Sequence, residues 1–283
     1  MNEKTTTFQL YRYQLLPIDR YLQTDMLTGI KSVAELLERK NEFFAEAIRD
    51  TKSFSDNSRE TITKKLYEDE NFFLFRIAVN KSMHRETKEF KDELIDNWPS
   101  ILVGIWNDPD VQIIAIQKRT SAFKNAETMV KMIIRSLSKR LSNHHLRAIE
   151  EPLFEKKKFW SVIAKNKGKI KAVDFEIITP NMANISKSLP EDLRKFAKGT
   201  NTSKSRLKIE SDPEAPLHLE ETDDTLQGLV DYSSKGGGNI SLRIEGMKRK
   251  IHISDTVKEI QVKEAELQGD SKDVVEVLKE MIG

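Results

Sequence analysis

Ser100-Ile101-Leu102-Val103-Gly104-Ile105-Trp106-Asn107-Asp108-Pro109-Asp110-Val111-Gln112-Ile113-Ile114-Ala115-Ile116-Gln117-Lys118 sets two apolar runs on either side of four turn-forming residues. Asn and Asp bond their own backbone in turns, and proline presets a turn angle, so Asn107–Asp110 reads as a reversal. Ile101–Trp106 and Val111–Lys118 then form an antiparallel hairpin. The interruption also leaves the stretch short of the roughly 20 apolar residues that a membrane span needs.

Working outward, Phe72–Val79 is a short apolar run bounded by Asn71 and Asn80, a strand for the same sheet. Thr6–Leu16, closed by Pro17, is another. Between them, Ser32 and Glu35 have capping-box spacing. Val33, Leu36, Leu37, Phe44, Ala47 and Ile48 follow at helical intervals as far as Asp50, and Ser53–Ser58 is a loop. Past the hairpin, Ala126, Val130, Ile133, Ile134, Leu137 and Leu141 recur at three and four. Lys124, Lys131, Arg135 and Lys139 fall opposite them, which predicts a basic-faced helix over Ala122–His145. Ala172–Thr179 reads as a strand ended by Pro180, and Leu189–Phe196 as a short helix with Pro190 in its first turn. Leu207 and Ile209, then Ile240, Leu242 and Ile244, alternate with polar residues as half-buried strands do. Gly246 turns the chain into Lys250–Ile253, and Ser271 caps a last helix bearing Val274, Val275, Val277, Leu278 and Met281. The expected class is α+β, with mixed or antiparallel sheets and flanking helices. A chain of 283 residues suits two domains, placed at 1–150 and 151–283 on the Glu150-Glu151-Pro152 break.

The absence of cysteine excludes disulfides, thiolate nucleophiles and Cys-ligated metals, and suits a reducing compartment. The opening residues have neither the basic nor the apolar region of a signal peptide, so a cytoplasmic location is expected. Net charge is only +2, yet it is segregated. Val111–Glu210 holds 22 basic and 9 acidic residues, leaving 25 basic and 36 acidic elsewhere. A one-sign field of that size attracts polyanions, and nucleic acid is the commonest large one in a cytoplasm.

The expected contact residues are Lys118, Arg119, Lys124, Lys131, Arg135, Lys139, Lys156, Lys157, Lys158, Lys165, Lys167, Lys169 and Lys171, with Phe159 and Trp160 among them. Long cations spaced along a surface grip a phosphate backbone, and no base-reading motif accompanies them. Against this stands the plainer reading of a solvated helix face and an exposed loop. Ser233-Ser234-Lys235-Gly236-Gly237-Gly238-Asn239 lacks the strand-before, helix-after context of a phosphate loop and reads as a hairpin loop. Asp174 and Glu176, near Lys171, are the one carboxylate pair suited to a metal-dependent nuclease. Arg140 and His145 have the Arg-x4-His spacing of HEPN-type ribonucleases, although Leu141 stands where that family has a polar residue. The scattered histidines offer no zinc spacing, so no catalytic residue, metal or cofactor is expected.

The order of elements, Phe72–Val79, the hairpin Ser100–Lys118, a basic link, Ala172–Ile178, the helix Leu189–Lys198 and the strand Arg206–Glu210, resembles phage-exclusion and phage-defence proteins of the RexA and KwaB kind. The likeness covers most of residues 70–245 as a pattern of elements. It implies a non-catalytic, sequence-independent DNA-binding subunit, homodimeric, working with a membrane or effector partner. The alternatives are a nuclease at Asp174/Glu176 or Arg140/His145, and a protein-interaction subunit whose acidic regions meet a basic partner.

Overall fold

The structure, a computed structural model, describes residues 4–19, 30–55, 60–179, 183–200, 202–267, 269–280 and 282. In chain order the first elements are β1 (Thr5–Pro17), α1 (Val33–Glu38), α2 (Lys40–Asp50), β2 (Thr61–Glu68), β3 (Phe72–Val79), β4 (Met83–Glu86) and β5 (Asp92–Ile95). The hairpin β6 (Ser100–Asn107) and β7 (Gln112–Gln117), α3 (Ala126–Asn143) and β8 (Leu146–Pro152) follow. Next come α4 (Lys156–Lys165), β9 (Ile170–Ile178), α5 (Ala183–Ser186), α6 (Glu191–Gly199), β10 (Lys204–Glu210) and α7 (Asp224–Tyr232). The last elements are β11 (Gly238–Ile244), β12 (Ile251–His252), β13 (Glu259–Lys263) and α8 (Ser271–Glu280). The protein is α+β with antiparallel sheets. No helix among the described residues is long and apolar enough to cross a membrane. The loop beyond Ser55, Pro180 and Met281 lie outside the described residues.

The first sheet runs β13-β1-β7-β6-β3-β2, with β8 also on β1. β1 is long enough to hold two partners on one edge. Thr5–Gln9 pairs with β13 and Tyr11–Pro17 with β8, while Phe8–Arg12 pairs with β7 on the other side. Strand alternation sends Tyr13, Phe73, Phe75, Val103 and Ile114 to one face, under α1, α2 and α3. It sends Phe8, Leu10, Phe72, Leu74 and Trp106 to the other, under Val274, Val275 and Leu278 of α8. Both faces are buried, which is why β3 and β6 read as continuous apolar runs.

The second sheet runs β10-β9-β11-β12. Val173, Phe175, Ile240 and Leu242 pack against Phe159 of α4 and Leu226, Leu229 and Val230 of α7. Its opposite face is polar, with Asp174, Glu176, Arg206, Asn239 and Ser241 at neighbouring register positions. The chain passes between the sheets at Leu153 and Phe154, whose N–H groups donate to Leu10 and Ser234 carbonyls at 3.0 and 3.1 Å. It returns at Lys258, whose N–H donates to Leu153. Residues after the expected boundary at 151 are therefore divided between the two sheets, since β13 and α8 join the first.

Three local readings change. Ser32 caps the helix, its hydroxyl accepting from Glu35 N–H at 3.2 Å, while the Glu35 carboxylate reaches back one residue further, to Lys31 N–H at 2.9 Å, and the helix breaks at Arg39 into α1 and α2. Glu150-Glu151-Pro152 is the end of β8 and no break, because an edge strand tolerates a residue without a donor. The glycine-rich stretch joins α7 to β11, so it is a helix-to-strand turn where a hairpin loop was expected. The reason is α7 itself, an element whose Leu226, Leu229 and Val230 spacing and Asp223 cap, accepting from Leu226 N–H at 2.8 Å, make a short amphipathic helix.

A buried polar network ties α2 to the β6–β7 hairpin. The Tyr13 hydroxyl donates to the Trp106 carbonyl and to Asn107 Oδ1 at 3.0 and 2.9 Å, and Asn41 and Asn107 exchange bonds around them. Tyr13→Phe leaves these acceptors short of a donor and is expected to cost about 1–2 kcal/mol in urea unfolding. An unchanged midpoint would show that the network adds nothing to stability.

Candidate functional site

The sequence-selected cations fall into two groups on two helices. Asn125 caps α3, accepting from Thr128 N–H at 2.9 Å, and the helix carries Lys131, Arg135 and Lys139 along one exposed stripe, whereas Lys124 precedes the cap and lies outside the helix expected to begin at Ala122. From Lys131 to Lys139 the stripe runs about 12 Å at the helical rise per residue. Lys131 is ion-paired with Glu127 one turn back. Lys124, Arg135 and Lys139 are exposed and have no ion pair among the described residues. Lys118 instead meets Glu259 at 2.9 Å, and Arg119 donates to the Ser100 carbonyl.

The second group surrounds α4. Lys156, Lys157 and Lys158 occupy its first turn, where the helix dipole disfavours cations. Acidic neighbours offset this. Lys157 meets Glu155 at 2.8 Å, and Lys156 meets Asp231, which also receives Lys235 at 2.6 Å. Burial opposes ionisation of Asp231, but hydrogen bonds from Lys156, Lys235 and Ser188 outweigh it and bring its pKa down to about 2. Lys156 and Lys157 thus stand beside a cleft shared with Glu221, Asp224 and Asp231, and Trp160 lines that cleft while Phe159 enters the core. Lys158, Lys165, Lys167 and Lys169 remain exposed without an ion pair among the described residues. Lys171 points inward, donating to the Pro213 carbonyl at 3.1 Å and lying 3.5 Å from Glu245.

Three of the nuclease candidates, Asp174, Glu176 and Arg140, have protein partners. Asp174, 6% exposed, sits 3.0 Å from Arg206 and 3.4 Å from Lys250, and Glu176 lies 2.5 Å from Lys204. No group of carboxylates and histidines suited to holding a metal ion occurs among the described residues. Arg140 donates to the Asp50 carbonyl at the end of α2, and the neighbouring His144 stacks on Phe43 at 4.4 Å. His145 takes a positive φ of 56° past the end of α3.

A polar cleft of about 650 Å³ lies where the two sheets meet. It is lined by Tyr11, Lys131, Glu150, Glu151, Lys204, Asn239 and His252, among others, which come from β1, α3, β8, β10, β11 and β12. Glu151 is 12% exposed, and its nearest cation, Lys204 at 4.0 Å, is engaged with Glu176. Burial, partly opposed by Lys204, raises the Glu151 carboxyl to about 7. Burial also raises Glu150. Sequence reasoning missed this cleft. Its members are spread from Tyr11 to His252, and only the Glu150-Glu151 pair stands out locally. Comparison with family models, curated proteins and solved structures finds no match to this chain.

Proposed function

We propose that this chain binds nucleic acid, DNA foremost, through its phosphates without reading base sequence, and is a binding protein with no catalysis of its own. The observation that carries the reading is the α3 stripe, in which Arg135 and Lys139 face solvent with no acidic partner among the described residues, as does Lys124 just before the helix. Its length from Lys131 to Lys139, about 12 Å, is several times the axial phosphate spacing of one strand, about 3.4 Å. Lys158, Lys165, Lys167 and Lys169 form a second exposed group. The exposed Lys131–Glu127 pair is weak enough for a phosphate to displace. Lys118, Arg119, Lys156, Lys157 and Lys171 have protein partners and contribute less. The resemblance in element order extends the proposal to a cytoplasmic, homodimeric subunit of an antiviral-defence system with an effector or membrane partner.

Fluorescence anisotropy with labelled duplex DNA, single-stranded DNA and duplex RNA, across a salt series, tests the reading. Affinity should be the same for unrelated sequences and should fall with salt on a logarithmic slope of roughly −3 to −6. The double variant Arg135→Glu/Lys139→Glu should weaken binding about tenfold or more, whereas Lys171→Ala should leave it within about twofold. Absence of binding at low salt, or indifference to the double variant, overturns the proposal.

A further inference from the structure

We propose that the free edge of β10, with the apolar groove beside it, captures an extended, lysine- or arginine-bearing segment of a partner protein by strand addition. β10 is the outer strand of its sheet. Ser203 and Ser211 bond to Thr179 and Lys171 on the β9 side, so alternation turns the N–H and C=O groups of Lys204, Arg206, Lys208 and Glu210 outward. No backbone partner meets them among the described residues. An unpaired strand edge is a template for another strand.

Specificity in such binding comes from pockets that take alternate side chains. A groove of about 620 Å³ runs beside β10, and Leu207, Ile209, Leu219, Leu226 and Leu229 line it together with His218. An added strand would turn every second side chain toward it. The acidic side chains that line the groove are Glu220 and Asp223, and the chain leading from β10 to it is one-sided in charge. Glu210 to Asp224 holds seven acidic residues and no lysine or arginine. Asp212, Glu214 and Glu220 are exposed without an ion pair among the described residues, while Glu221 and Asp224 lie toward the Lys156/Lys157 cleft. The cations of β10 make no matching demand for anions, because Lys204, Arg206 and Lys208 are already paired with Glu176, Asp174 and Glu210. The complementary segment is therefore apolar at alternate positions and cationic between or beyond them. A second copy of this chain fits worse, since antiparallel β10 strands would bring two Lys204-Arg206-Lys208 rows together on one face.

The test uses the full chain and two short labelled peptides, one alternating valine with lysine and one alternating valine with glutamate. Anisotropy should show the lysine peptide binding at least tenfold more tightly. Lys208→Pro removes an outward N–H and none from the β9 ladder, so it should weaken that binding at least tenfold with melting temperature unchanged. The charge reversal Glu220→Lys, at the groove itself, leaves the edge intact and should weaken it severalfold, which keeps the test open if the proline variant misfolds. The proposal is overturned by any of three results. The lysine peptide fails to bind better than the glutamate one, a folded Lys208→Pro or the charge reversal binds it undiminished, or the unliganded chain forms a dimer that Lys208→Pro dissociates.

Discussion

Replacing Gly238 by alanine is expected to destabilise the protein by more than about 4 kcal/mol, enough to lose the second sheet. Gly238 opens β11 at a φ of +147°, and a Cβ there would lie 1.8 Å from the Glu176 carbonyl oxygen. Neither partner can yield easily. Glu176 belongs to β9, which is held on both sides by β10 and β11, so moving its carbonyl breaks the ladder. Gly246 supplies the control. Its φ is +79°, but nothing lies within 4 Å of an added Cβ, so alanine there adds conformational strain of only about 1 kcal/mol. Urea unfolding of the two variants side by side separates steric clash from backbone strain. Equal losses would refute the claim that close approach at Gly238 dominates.

Glu151→Gln is expected to stabilise the protein at pH 8 by up to about 3 kcal/mol while changing little at pH 4. The carboxyl titrates near 4.5 in its ordinary state and near 7 in the fold, chiefly through burial. The folded chain thus holds this proton more tightly than the unfolded one. Below pH 4.5 both states are protonated and the group has no cost. As pH rises from 4.5 to 7 the unfolded state ionises first and stability falls, and above 7 the full penalty applies. The surrounding charges are Glu150 on the same strand, Lys131 of α3, Lys204 of β10 and Glu176 of β9, and those causes are included in the shift. Asp255 and His252 also line the cleft. Glutamine keeps the shape and removes the ionisation. Denaturation midpoints at pH 5 and pH 8 decide the matter, since a variant-to-parent difference that does not grow with pH would mean that Glu151 is not a strained carboxylate.

What could be read in the chain beforehand was whatever rests on neighbours in sequence. Phe72–Val79 announces β3 because both its faces are buried. The Asn107–Asp110 reversal fixes the hairpin, and the three-and-four spacing from Ala126 to Leu141 announces α3. Local charge was legible in the same way, so the α3 stripe stands where periodicity places it. What long-range contact decides was hidden. No local signal shows that Lys171 turns inward to Pro213, that Lys156 lies against Asp231, or that Glu151 is stranded beside a lysine engaged elsewhere. The β4–β5 hairpin escaped because its strands are exposed on both faces and carry no alternation. β13 escaped because its partner lies at the other end of the chain.

That last pairing bears on how the molecule is made. Gln9 donates to Glu259 at 2.8 Å across 250 positions of chain, and β13 and β8 complete the same edge of β1. During synthesis β1 emerges well before β13, so half of that edge has no partner until a segment 250 positions later has left the ribosome. Contacts so distant in sequence slow folding and leave an open strand edge exposed meanwhile. The nascent protein should therefore depend on chaperone shelter until β13 is released, and the finished sheet holds its early and late segments together as one clasp.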